Sequence, residues 1–227
     1  LNELYPAAHV REQVEASLGR LQLQRIDLLQ LHQWMPRGLV ETDWLDTLHA
    51  LRREGKIDRF GVSLRDVRPA PGIPLAERRL VASQQVMFNL FEQEPLDRLF
   101  PAAEENRTAI LARVPLDSGA LSGTWNEHTY DSWTASDRRR VLYRDHRFAD
   151  TLVRIRALEE ITRDYFPTLA EAALRFALHP PGVSTVLTGM RDRLEVEQNT
   201  SASDGAPFPP ELLVQLKHRA WKRDFYV

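Results

Sequence analysis

Two hydrophobic periods take turns along this chain. Val14, Leu18 and Leu21 fall on one face of a helix over 10–21, the 3.6-residue repeat. The run R-I-D-L-L-Q-L-H-Q-W (25–34) then reads as a strand over 26–32 that carries His32 to its C-terminal end. Trp44, Leu48 and Leu51 mark a helix over 43–54, which Gly55 ends. A strand over 59–63 leads through a Pro/Gly loop to a short helix near 75–80. Strands over 83–89 and 109–114 follow, with a helix over 96–106 between them. The second of these strands is nearly all apolar, as a strand covered on both faces should be. An irregular stretch, 115–147, gives way to two helices, the second opened by the capping box T-L-A-E at 168–171. A fifth strand, 183–188, precedes a helix just past Gly189, and Pro207, Pro209 and Pro210 lead into a last helix over 211–221.

Strands alternating with helices at this spacing predict a parallel sheet with right-handed crossovers. A doubly wound sheet would accept five strands, but its first-turn signature G-x-G-x-x-G is absent. A closed (β/α)8 TIM barrel wants eight strands and about 250 residues. The expectation is therefore a barrel incomplete in this chain, about five strands with the first three missing, or else open edges that another chain covers. Leu1 in place of Met points the same way.

At 227 residues with 43% hydrophobic content, the chain has enough for one domain over 1–227 with a sizeable core. A net charge of −2 offers no basic field for nucleic acid and no polybasic patch for a membrane surface. The absence of cysteine removes disulfides, thiolate zinc sites and cysteine nucleophiles, and fits a cytoplasmic protein. No apolar run reaches the roughly 18 residues of a membrane span, and the start L-N-E-L-Y-P is no signal peptide. The seven histidines show no metal-ligand spacing, so no metal site is expected.

Candidate chemistry sits where strands end, the rim that carries active sites in parallel α/β barrels. His32 could donate a hydrogen bond to a substrate carbonyl or pass a proton, with Trp34 two residues on. Asp27, lower in the same strand, reads as structural, paired with a cation or helix terminus. Ser63, Gln85 and Arg113 fall near the C-terminal ends of the next three strands, each able to bond an amide or a diphosphate. The loop 117–123 holds two glycines and two serines, which lets backbone approach phosphate oxygens. Gly189 permits a tight turn, Asp192 caps the following helix with Glu195 three residues on, and Arg191 beside that helix end suggests an anion site. Glu92 and Glu94 raise a glycosidase carboxylate pair, but the next strand ends in arginine and proline. Arg138–Arg140 with Arg144 read as a solvated face.

Five segments together resemble the aldo-keto reductase superfamily, in its branch related to potassium-channel β-subunits. They are S-L-G-R-L-Q-L-Q-R-I-D-L-L-Q-L-H (17–32), L-R-R-E-G-K-I-D-R-F-G-V-S (51–63), Q-V-M-F-N-L (85–90), R-V-P-L-D-S-G-A-L-S-G (113–123) and S-T-V-L-T-G-M-R with E-Q-N after it (184–199). The resemblance implies a barrel binding NADPH, or less often NADH, across its rim, and hydride transfer that reduces a small-molecule aldehyde or ketone to an alcohol. It makes His32 the active-site histidine, puts Trp34 in a loop that sets substrate specificity, and gives Ser63 and Gln85 the nicotinamide carboxamide. Arg113 takes the place against the nicotinamide ring, Leu116 and Ser118 the diphosphate, and Gly189, Arg191, Gln198 and Asn199 the adenosine-phosphate end. The family's usual asparagine after the serine of G-V-S is Leu64 here, which loses one amide contact. Its catalytic tyrosine, lysine and aspartate come from strands ahead of the matched region, and Tyr5 lies outside any matching motif.

Three functions follow as expectations. The first is a carbonyl reductase. The second is a shortened relative without redox chemistry, a lyase, isomerase or cyclase using His32 with Glu92 or Asp117, self-associating to cover its edges. The third is a regulatory subunit that senses the cofactor.

Overall fold

The apolar segments meet in one sheet. In the computed structural model, which describes residues 5–41, 43–65, 68–223 and 225, the strands are β1 (Ile26–Trp34), β2 (Ile57–Leu64), β3 (Ser83–Met87), β4 (Ala109–Arg113) and β5 (Val183–Leu187). All neighbours pair in parallel, in the sequential order β1-β2-β3-β4-β5. Each connection therefore steps in the same direction, and crossovers of one hand put their helices on one face of the sheet. The order separates this sheet from a doubly wound one, whose strand order reverses partway.

Helices α1 (Ala7–Leu21), α2 (Asp43–Arg53), α3 (Ile73–Glu77) and α4 (Leu99–Glu105) fill the connections up to β4. After β4 come α5 (Thr129–Ser132), α6 (Arg138–Leu142), α7 (Arg147–Thr162) and α8 (Leu169–Leu178), and after β5 come α9 (Arg193–Ser201) and α10 (Pro210–Lys217). The apolar stripes read from the sequence are buried through Val14 and Leu18 of α1, Leu48 and Leu51 of α2, and Ala173 and Phe176 of α8, but Leu21 at the end of α1 is exposed. They belong to the same core as Leu31, Phe60, Val62, Val86, Ile110 and Ala112, the alternate strand residues that face the helices. Both expected caps form, the Thr168 hydroxyl accepting from the Glu171 amide and the Asp192 carboxylate from the Glu195 amide. No helix among the described residues is long and apolar enough to cross a membrane.

Among the described residues the five strands form an open sheet, β1 and β5 each pairing on one side. Three sequence expectations change. The stretch 115–147 is not irregular. A 3-10 turn over Asp117–Ser122, α5 and α6 gather Trp125, Tyr130, Trp133, Tyr143 and Phe148 into an aromatic cluster. Arg139 and Arg140 are not simply solvated. Their guanidinium groups lie 4.9 Å over the Trp133 and Tyr130 rings respectively, attracted by the negative ring faces. Among the described residues Asp27 meets only Arg25, at 4.0 Å, and its side chain is 90% exposed, so the expected structural pairing does not form there.

Candidate active site

The strand residues that point away from the helices form rows across the sheet. His32, Ser63, Gln85, Leu111 and Thr185 are successive register partners. One step toward the strand starts, Gln30, Gly61, Ser83 and Ala109 make a second row, and Met87, Arg113 and Leu187 a third nearer the rim. With strands about 4.8 Å apart, His32 and Gln85 stand two strands from each other, with Ser63 between them.

A hydrogen-bond chain ties these rows together. Gln85 Nε2 donates to Gln30 Oε1 at 2.8 Å, Gln30 Nε2 to the Ser83 hydroxyl at 3.2 Å, and the Ser63 hydroxyl to Gln85 Oε1 at 3.4 Å. Gly61 makes the link possible. It stands between Gln30 and Ser83, and a Cβ there would come within 2.1 Å of the Ser83 hydroxyl and 2.6 Å of its carbonyl oxygen. His32 is exposed at the end of this network, and Ser63 is buried behind it.

Trp34 does not share the face of His32. The pairing slips between His32 and Trp34, so that Trp34 faces Leu64. One extra residue in a strand turns the following side chain to the opposite face. The indole is 1% exposed, packed in the core under the turn Pro36–Leu39, where a Cβ on Gly38 would lie 3.0 Å from its Nε1. The substrate role expected of Trp34 does not fit that burial. Tyr5, by contrast, reaches the rim beside His32. Its hydroxyl donates to the Gln33 carbonyl at 2.7 Å, and burial pushes its pKa up to about 12.

Arg113, half-buried, donates from Nη2 to the Leu64 carbonyl at 3.4 Å, across β2 and β3. The loop that follows turns on left-handed backbone at Val114 (φ 59°), Asp117 (48°), Ser118 (57°) and Gly119 (103°). Leu116 and Ser118 flank Asp117 there. The far end of that loop closes a cleft of about 680 Å³, lined by Ser122, Gly123 and Thr124, the start of α8, and Gln198 and Asn199 of α9. Ser118 and Arg191 do not line it. Arg191 is instead held by Glu195, with Nη2 to Oε1 at 2.6 Å, which keeps that carboxyl below its ordinary pKa. Asn199 Nδ2 donates to the Gly189 carbonyl at 3.0 Å. Gly189 is not in left-handed backbone and nothing lies within 4 Å of its would-be Cβ, so the turn does not require glycine.

One group near the site escaped the sequence reading. Arg223, on the C-terminal tail, is buried between two acids. It donates to Asp117 from Nη1 at 2.9 Å and Nη2 at 2.7 Å, and from Nε to Glu92 at 3.1 Å. Lys222 beside it pairs with Glu94 at 2.8 Å. Trp221 and Phe225, on either side of the arginine, were the available signal: aromatic rings around a cation suggest a docked segment.

The family model described as "Aldo/keto reductase family" matches residues 2–218. The chain belongs to the aldo/keto reductase family. This family member is 28% identical over 222 residues to an uncharacterized oxidoreductase, YqkF, of Bacillus subtilis, covering 96% of this chain and 68% of that protein. It is 28% identical over 235 residues to human aflatoxin B1 aldehyde reductase member 2, covering 93% and 64%. Among solved structures, the glycerol dehydrogenase of Gluconobacter oxydans superposes with a TM-score of 0.77 at 25% identity, over 95% of this chain and 64% of that one. The holo aldo-keto reductase of Bacillus halodurans superposes with a TM-score of 0.73 at 24% identity, over 94% and 65%.

These alignments correct the expectation of an incomplete barrel lacking its first three strands. The family match and the superpositions take in nearly the whole chain, helices and loops included, so the family fold runs throughout it. Counting apolar segments against eight weighed strands and nothing else. As a fact of length, the chain spans about two thirds of these relatives.

Proposed function

We propose that this chain binds NADPH across the open face of its sheet and reduces an aldehyde or ketone to an alcohol. The observation that carries the reading is the single row His32–Ser63–Gln85 on that face, joined through the loop after β4 to the cleft holding Gln198 and Asn199. A polar row at one end and a cleft at the other suit a long ligand with a polar head. NADH is the second choice of cofactor.

The donor set fits a nicotinamide carboxamide. The Ser63 hydroxyl and the Gln85 amide sit side by side, and between them they offer both a donor and an acceptor. Arg113 would lie against the ring, Leu116 and Ser118 would meet the diphosphate, and Gln198 and Asn199 would hold the adenosine-phosphate end, with Arg191 joining them on leaving Glu195. Thr188, just before Gly189, has a buried hydroxyl without a hydrogen-bond partner, which suits a ligand-facing strand end. When bound, the dihydronicotinamide supplies the hydride.

His32 aligns the substrate. Exposed at the rim, its imidazole donates a hydrogen bond to the carbonyl oxygen and so polarises the carbon that becomes the alcohol. The non-redox alternative loses its proton partners, since Asp117 and Glu92 are both bound by Arg223. Loss of NADPH absorbance with a panel of aldehydes and ketones tests the proposal. Turnover that falls at least about a hundredfold in His32→Ala supports it, and an intact protein that neither binds nor oxidises NADPH overturns it.

A further inference from the structure

The buried arginine of the tail and the strained loop after β4 meet at one residue. Asp117 is 0% exposed and Arg223 1%, and the fork-to-fork pair between them fixes orientation as well as charge. The third edge of the guanidinium goes to Glu92, and its carbon sits 4.9, 5.0 and 4.9 Å from the rings of Phe91, Trp221 and Phe225.

On the other side of the pair, Asp117 and Ser118 both occupy left-handed backbone. Residues other than glycine hold that conformation where surrounding contacts over-determine it. Two pins act on Asp117. The guanidinium holds its carboxylate, and the Tyr143 hydroxyl donates to its carbonyl at 2.7 Å and to its carboxylate at 3.0 Å. Asp117 stands between Leu116 and Ser118, the residues assigned above to the cofactor diphosphate.

We infer that Arg223 is a positioning residue for the diphosphate-binding loop, setting residues 116–118 through Asp117 from 106 positions down the chain. The inference rests on the cofactor reading above. The arginine touches neither cofactor nor substrate. It shapes the backbone that does, so the C-terminal tail belongs to the cofactor site.

The test uses three probes on the intact protein: NADPH, ADP-ribose, and adenosine 2′,5′-bisphosphate, which lacks the diphosphate bridge. Two variants are compared with the unchanged protein, Arg223→Lys and the double change Asp117→Asn with Arg223→Met. The double change leaves no buried carboxylate at 117 without its cation, and Glu92, whose pKa burial already raises, can bind a proton once the guanidinium is gone. Both variants should bind NADPH and ADP-ribose about tenfold more weakly, the loss expected of one charge-assisted hydrogen bond. Their binding of adenosine 2′,5′-bisphosphate should change less than about twofold, within the ordinary scatter of distant substitutions. Equal weakening for all three probes, which a general loss of structure would give, overturns the inference, and so does no weakening for any. If the unchanged protein takes no NADPH, the cofactor reading itself falls and this inference with it, an outcome the variants play no part in.

Discussion

Glu92 accepts a hydrogen bond from Arg223 at 3.1 Å, while the same guanidinium donates two to Asp117. One cation thus faces two buried acids. Burial is the main cause that pushes the Glu92 pKa up to about 7, against the lowering effect of Arg223.

Stability should therefore depend on pH in a set direction. A carboxyl whose folded pKa lies above its unfolded value binds more protons when folded, so its contribution is full below pH 4.5 and is lost as pH rises through about 7. The loss totals roughly 3 kcal/mol at about 1.4 kcal/mol per pH unit. Glu92→Gln keeps an acceptor for Arg223 and removes the charge. Denaturant unfolding from pH 5 to pH 8 should show the slope in the unchanged protein and a flatter profile in the variant. Parallel profiles would assign the slope to other groups.

Gly61→Ala should damage the polar row. A Cβ placed 2.1 Å from the Ser83 hydroxyl and 2.6 Å from its carbonyl oxygen forces β2 and β3 apart. Overpacking of this kind costs about 1–3 kcal/mol. Urea unfolding measures the cost, and NADPH binding should fall with it because Ser63 and Gln85 flank the displaced strands.

Gln85→Ala separates binding from stability. The side chain is half-buried and its bonds are to other side chains, so the unfolding midpoint should move little. The KM for NADPH should rise about tenfold, near 1.4 kcal/mol for lost amide contacts. An unchanged KM would remove Gln85 from the carboxamide site.

Trp34 gives the opposite pattern. Trp34→Ala should cost about 3–5 kcal/mol as a core truncation, while Trp34→Phe should leave the KM of an aldehyde substrate within about twofold, as for a change distant from the site. A specific rise in substrate KM in the phenylalanine variant would put the indole back in the pocket.

Tyr5→Phe removes one hydroxyl that bonds backbone, Tyr5 to Gln33. The expected effect is about 1 kcal/mol in thermal unfolding with turnover retained. Loss of turnover without loss of stability would instead make Tyr5 a proton donor beside His32.

Much of this arrangement is legible along the chain because local chemistry decides it. Thr168 and Asp192 cap helices through contacts three residues away, and the stripes of α1, α2 and α8 follow helical spacing. His32, Ser63 and Gln85 fall in one row because the parallel register pairs them, His32 and Ser63 near the ends of their strands and Gln85 midway along β3. Trp34 could not be placed this way. A single bulge reverses the two-residue alternation, and no residue type announces it.

The sequence by itself determined the strand–helix order, the caps and the family, since these depend on residue spacing and short contacts. The tertiary structure decided which carboxylates are free to act. Glu92 and Asp117 read as candidate acids while they were letters near strand ends. Burial beside a guanidinium from position 223 turns them into a lock, because desolvation and charge pairing depend on what lies within a few ångströms, not on what lies next in the chain.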